Sequence, residues 1–170
     1  PCTCFLQFFI RENKLECVAY MRSNDVFLGL PHDIFCFTMI QEMVAARLMM
    51  EPGEYTHIVG SLHLYDKNRE KAKQFLDEGY QSTQCEMAAM PRQRLAENVD
   101  LTLRIERSLR LSSRWEPSLY SSLPPFWQDI ATILRGWNAI KRKSQSDLRA
   151  CRATLNFPLF HVYFDERLIK

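Results

Sequence analysis

At 170 residues, with 46% hydrophobic and 25% charged side chains, the chain can form one domain with a real core but not two ordinary ones. A net charge of +2 argues against a general nucleic-acid binder, and no apolar run reaches the length of a membrane span. Six cysteines (2, 4, 17, 36, 85 and 151) show neither a CxxC pair nor a zinc spacing, and no signal-peptide pattern opens the chain; reduced thiols, no metal and a cytoplasmic location are therefore expected.

The first residue is Pro1, followed at once by a possible nucleophile, Cys2. A catalytic group seldom sits on a frayed terminus, so a longer protein, cut at this point, is expected. Residues 4–10 are aromatic-rich and apolar and read as a strand. Arg11-Glu12-Asn13-Lys14 supplies a polar turn and residues 15–21 a returning strand, which predicts an antiparallel hairpin. Strand alternation in Cys2-Thr3-Cys4 would put both thiols on one face.

Leu28-Gly29-Leu30-Pro31 breaks the strand, and Phe37, Ile40, Val44 and Leu48 recur at helical spacing, which predicts a helix over 34–50. That helix is apolar around much of its circumference and is expected to be largely buried, ending at Glu51-Pro52-Gly53-Glu54. Residues 55–65 read as a strand and 67–78 as a charged surface helix closed by Gly79. A loop over 80–93 follows, then a helix over 94–111, a Ser/Pro-rich connector over 112–125, and a helix over 126–141 with Ile130, Ile133, Leu134 and Trp137 on its apolar side. Residues 157–164 read as a last strand or a docked tail. The organisation thus changes near residue 80, from strands around one helix to mainly helix.

Several residues could carry chemistry, each with a plainer alternative. Cys2 is either a small buried hydrophobe or a nucleophile. Arg22-Ser23 is either a surface dipeptide or a fork of donors for a phosphate. Asp25 suits a turn, bonding local backbone. Gly29 suits either a close backbone approach or an unusual turn. Asp33 stands just before the predicted helix, where an aspartate caps well. His63 and Tyr65 alternate on a strand and so share a face. Arg104, Arg107, Arg110 and Arg114 form a basic series, read as a solvated helix face or a second phosphate or partner contact.

In order and spacing, Pro1-Cys2, Arg22-Ser23, Leu28-Gly29-Leu30-Pro31, Asp33 and His63-Leu64-Tyr65 resemble the nucleotide-binding half of the thymidylate synthase family, over about residues 1–80. The resemblance implies an α/β (α+β) fold: a thymidylate synthase-like mixed sheet with a long buried helix, followed by a mainly helical extension. On that reading residues 1–80 are the second half of the catalytic domain, and 81–170, which do not match the family's usual ending, extend it.

It further implies that Cys2 adds to C6 of a pyrimidine nucleotide, Arg22 and Ser23 hold its phosphate, and Asp33 faces the base edge. His63 and Tyr65 would hold the sugar, and Asp25 and Gly29 would serve the folate and the ordering of the site. The implied cosubstrate is 5,10-methylenetetrahydrofolate, the implied assembly a homodimer with sheets back to back. Upstream chain would carry the other phosphate arginines and a glutamate that organises proton transfer.

Three departures separate this sequence from an ordinary thymidylate synthase. Thr3 stands where the family has histidine, Met21 where it has glutamine, and Asp33 where it has asparagine. An asparagine amide can donate to uracil O4 and accept from N3–H, whereas cytosine offers an amino donor and an N3 acceptor. A carboxylate accepts from that amino group, and in the family an aspartate at this position marks cytidylate hydroxymethylases. Three functions are therefore expected to compete: hydroxymethylation of dCMP or CMP, methylation of dUMP, and a non-catalytic nucleotide-binding or scaffold role.

Overall fold

In the computed structural model, which describes residues 2–79 and 87–168, two compact units divide the chain, Pro1–Ser82 and Thr83–Lys170. The first is an α+β unit. Strand β1 (Thr3–Arg11) turns back into β2 (Lys14–Met21) through Glu12 and Asn13, both left-handed at φ 47° and 60°. Two successive left-handed residues make the hairpin turn whose twist matches its strands. β2 then pairs parallel with β4 (Glu51–Val59), giving the order β1-β2-β4.

Alternation divides this sheet into two faces. Leu15, Cys17, Ala19 and Met21 of β2 are buried and face helix α1 (Gly29–Arg47). Phe37 packs on Ala19 and Met21, with Leu6, Tyr55 and Val59 around them. Buried Gln41 makes a different contact. The β2–β4 register shifts between Leu15 and Cys17, and the Gln41 amide donates to the carbonyls of Leu15 (2.8 Å), Gly53 and Glu54 (both 3.2 Å). It satisfies acceptors that the irregular ladder would leave buried and unpaired.

Helix α1 starts five residues before the predicted position, because Pro31 falls in its first turn, where a missing N–H costs nothing. Asp33 is therefore the fifth residue of the helix and not its cap. The helix is also less buried than expected: Phe37, Gln41, Ala45 and Ala46 are buried, while Phe35 is 51% exposed and Ile34 and Ile40 are also open. A helix laid on one sheet face covers one stripe only. It ends before Pro52-Gly53. Met49, left-handed at φ 58°, lets its own amide donate to Ala46 O (3.2 Å) and that of Met50 to Ala45 O (2.9 Å), a Schellman closure. Glu51 to Val59 are then free to be strand.

The predicted strand over 55–65 is interrupted at Gly60-Ser61. Beyond it, β5 (Leu62–His63) pairs parallel with β3 (Asn24–Asp25), and a 3-10 turn (Asp66–Asn68) leads into α2 (Arg69–Asp77).

The second unit is helical: α3 (Leu95–Ser112), α4 (Pro117–Ser121), α5 (Pro125–Lys141), α6 (Gln145–Thr154) and α7 (His161–Leu168). The loop expected over 80–93 lies partly outside the described residues, as does Cys85; residues 87–92 carry no helix or strand. The Ser/Pro connector contains the short α4, with Pro117 in its first turn. Residues 157–164 are neither strand nor tail, but a 3-10 turn at Pro158–Phe160 running into α7, whose Phe164 is fully buried.

The buried side of α5 also differs from the expected one. Phe126, Trp127, Ala131, Thr132, Gly136 and Ala139 line it, and Trp137 is half exposed. A helix packed against α3 on one side and α6 on the other needs small residues at its contacts, and the Phe164 ring fills the space a Cβ on Gly136 would take. Buried Asp129 accepts from the backbone amides of Asn156 (2.8 Å) and Phe157 (2.9 Å) and from the Asn156 side chain (2.8 Å), tying the segment after α6 to α5.

Candidate functional site

A cavity of about 400 Å3 opens in the first unit, at the ends of β2, β3 and β5 and the start of α1. Its lining is Cys2, Met21, Arg22, Ser23, Asn24, Asp25, Gly29, Asp33, His63 and Tyr65. All eight residues to which the family resemblance gives a site role meet around this one space.

Backbone pairing brings them together. The Arg22 amide donates to Cys2 O (2.9 Å), which fixes the head of β1 beside the end of β2. The Asn24 amide donates to Ser61 O (3.0 Å) and the Val26 amide to His63 O (2.9 Å), so β3 and β5 run side by side. Ser23 Oγ consequently lies 3.3 Å from His63 Nδ1. Tyr65, just past the strand, meets the His63 ring edge-on with centroids 4.7 Å apart.

Cys2 is exposed to this space. Cys4 is exposed but does not line it, contrary to simple alternation, because the β1–β2 register shifts between Thr3 and Phe5 and makes Cys4 the extra residue. The buried thiol of Cys17 is a packing residue, pushed above the usual thiol range by burial.

Asp25 serves as the acceptor at the start of α1. The formal cap, Leu28, has no side chain to offer, and the Asp25 carboxylate accepts from the amides of Leu28 (3.0 Å), Phe27 and Gly29 (both 3.4 Å). Burial pushes this carboxyl up, but those three amides and the nearby His63 outweigh it and hold it below the usual carboxylate range. Gly29 is the first residue of α1, and a Cβ there would collide with Asn24 Oδ1 and lie 3.4 Å from Asp25 Cβ. Its close approach is to the Asn24 side chain.

Asp33 is half-buried and makes no hydrogen bond to another described residue. Its carboxylate faces the cavity with its acceptor capacity unspent.

Asn24 was not among the residues found from the sequence. It is buried, and its amide nitrogen lies 3.3 Å from both Met21 Sδ and His57 Nε2. His57 Nδ1 in turn lies 2.6 Å from the Tyr55 hydroxyl. Tyr55 and His57 alternate on β4 as His63 and Tyr65 do around β5, and that alternation was the available signal.

In the second unit, Arg110 pairs with Glu106 (2.7 Å) and Arg114 with Glu116 (3.2 Å), which makes half of the basic series an ion-paired helix surface. Arg104 and Arg107 border a groove with Ser108, Leu111, Ser112 and Ser118. Among the described residues no cluster of His, Cys, Asp and Glu could hold a metal ion, and no helix is long and apolar enough to cross a membrane.

The family model for thymidylate synthase matches residues 1–104. That is more than half of the chain and reaches beyond the roughly 80 residues of the motif-based resemblance, into α3.

Proposed function

The chain belongs to the thymidylate synthase family, whose members transfer a one-carbon unit from methylenetetrahydrofolate to C5 of a pyrimidine nucleotide, and on that basis we propose that this protein hydroxymethylates a cytidine monophosphate, dCMP or CMP. The observation that supports this reading is Asp33, which lines the cavity and makes no hydrogen bond to a described residue. Helix capping, the competing role for an aspartate at this point, falls to Asp25. An unspent carboxylate accepts from the cytosine amino group, whereas against uracil O4 it would set acceptor against acceptor.

The remaining roles are those implied by the family resemblance, and the grouping of these residues around one cavity supports them. Arg22 offers a planar fork to the phosphate, with the Ser23 hydroxyl beside it. His63 and Tyr65 hold the sugar; the contact of Ser23 with His63 keeps the phosphate and sugar ends in one frame. The Cys2 thiolate attacks C6: a sulfur–carbon bond forms, and the electrons of the C5–C6 double bond move to C5. When bound, methylenetetrahydrofolate supplies the one-carbon unit that C5 takes up. Loss of the C5 proton with departure of tetrahydrofolate leaves an exocyclic methylene; water adds to it, and expulsion of the Cys2 thiolate restores the C5–C6 double bond and completes the sequence. Asp25, engaged by three amides, orders the turn that carries these groups.

A homodimer is part of the proposal. The sheet face away from α1 carries the cross-strand row Phe5, Tyr20 and Ile58, with Phe5 stacked on Tyr20 at 4.3 Å and still 53% exposed. An open aromatic row on a sheet supports packing against a second copy.

The test is release of tritium from C5 by the full-length protein, with labelled dCMP, CMP and dUMP in parallel. Release from a cytidine nucleotide is expected. Release from dUMP alone would mean thymidylate synthesis, and binding without any release a scaffold.

A further inference from the structure

The cavity wall holds a second acceptor besides Asp33. Asn24 lines the cavity, yet its side-chain nitrogen is fully engaged, 3.3 Å from Met21 Sδ and 3.3 Å from His57 Nε2. A thioether sulfur only accepts, which identifies the group facing Met21 as the amide NH2. The second amide hydrogen goes to His57 Nε2, which accepts and carries no hydrogen. In the neutral ring the hydrogen is then on Nδ1, which donates to the Tyr55 oxygen at 2.6 Å. Both amide hydrogens are spent, and the carbonyl oxygen is all that Asn24 has left to offer a ligand.

That oxygen reaches open space. No described group donates to it, and among the described residues the buried side-chain nitrogen or oxygen atoms without a partner are Asn68 Nδ2 and Trp127 Nε1 alone. It occupies the room that a Cβ on Gly29 would take. Asp33 stands four residues after Gly29, on the same face of α1 and one turn along. Side-chain positions so related are about 5–6 Å apart. An amino nitrogen whose two hydrogens diverge, each reaching an acceptor about 2.9 Å away, needs those acceptors about 5 Å apart. The two wall acceptors therefore suit the two hydrogens of one amino group.

We propose that Asn24 is a second base-selecting residue: its carbonyl takes one hydrogen of the cytosine amino group while Asp33 takes the other. His57 is its positioning residue. By accepting from the amide NH2, His57 keeps the carbonyl on the cavity side. Without that acceptor the amide is free to turn over and present its NH2, the donor that suits uracil O4. His57 thereby acts on selection without touching the nucleotide, and Tyr55 fixes the tautomer that makes Nε2 an acceptor.

This inference rests on the assignment of Asp33 to the base edge. Its test compares the full-length wild type with Asn24→Leu, His57→Phe and His57→Gln. Phenylalanine keeps a ring against Phe37 and loses the acceptor; glutamine loses the ring and keeps an acceptor near the place of Nε2. Dissociation constants are measured for dCMP, dUMP and deoxyribose 5-phosphate, which has no base. The dCMP-to-dUMP preference is expected to fall about tenfold in Asn24→Leu and His57→Phe, the size of one hydrogen bond. It should be retained in His57→Gln, with deoxyribose 5-phosphate affinity unchanged throughout. An unchanged preference in Asn24→Leu or His57→Phe overturns the inference, and leaves the base-edge reading standing where Asp33→Asn still shifts the ratio. A loss in His57→Gln as large as in His57→Phe also overturns it, since the ring and not the acceptor would then be at work. Equal weakening of all three ligands marks a merely structural role and overturns it too. A wild type without preference for dCMP overturns the underlying reading, and this inference with it.

Discussion

Ser23 Oγ and His63 Nδ1 lie 3.3 Å apart although forty residues separate them in the chain. Two short parallel pairings, Asn24 with Leu62 and Asp25 with His63, produce this contact. A side chain assigned to the phosphate and one assigned to the sugar thus share one rigid element. Binding and chemistry are expected to be separable by mutation, because Cys2, the proposed nucleophile, stands at the head of a different strand.

Asp33→Asn exchanges an acceptor for an amide that can both donate and accept. The ratio of tritium release from dCMP to that from dUMP is expected to fall by about a hundredfold, within the range for mismatched buried hydrogen bonds. An unmoved ratio would mean that Asp33 does not read the base.

Cys2→Ser removes the thiolate and little else, since Cys2 is exposed and its carbonyl, not its sulfur, receives the Arg22 amide. C5 tritium release is expected to drop by about a thousandfold or more, while the dissociation constant for the nucleotide changes by less than about threefold. Loss of binding in step with activity would count against a purely chemical role.

Gly29→Ala puts a methyl group against Asn24 Oδ1, which Met21, His57 and the buried wall prevent from moving freely. Overpacking of this kind costs about 1–3 kcal/mol, to be read from thermal or denaturant unfolding. Nucleotide affinity is expected to fall further than in an exposed α1 control such as Ile34→Ala.

In the helical unit, Asp147 accepts from Arg142 (2.7 Å) and Arg135 (3.0 Å). The Arg142 hydrogen bond, ahead of the opposing effect of burial and then Arg135, holds its carboxyl below the usual range. A carboxyl lowered in the folded state stabilises above its unfolded value, near about 4, and that stability is lost as pH falls through the folded value. Asp147→Asn is expected to cost about 1 kcal/mol at neutral pH. The gap from wild type should close progressively below about pH 4, in unfolding curves taken across pH. A gap that persists in acid would assign the loss to packing.

The hairpin, α1 as a helix, and the helices at α3 and α5 were legible in hydrophobic spacing, and the residues that meet around the cavity were picked out by their order along the chain. Local rules misplaced the edges. The start of α1 was missed because Pro31 looks like a breaker but is tolerated in a first turn, and its end because Met49 stands where a glycine is usual. Helix α6 was not anticipated, and α7 was taken for a strand or tail because Phe157 to Phe164 is apolar without a clear period.

What the sequence determined by itself is the set of chemically capable side chains: a thiol after proline, an arginine–serine pair, an aspartate two residues past Leu-Gly-Leu-Pro, a histidine and tyrosine two apart. These follow from residue type and spacing, which are local properties. Only the tertiary structure decided which aspartate caps α1 and which is left open to the cavity, because that depends on where the helix begins and what the turn before it can reach. It alone also brought Asn24, His57 and Tyr55 into one line. Hydrogen bonds across thirty residues depend on strand register, and no short window of sequence encodes that.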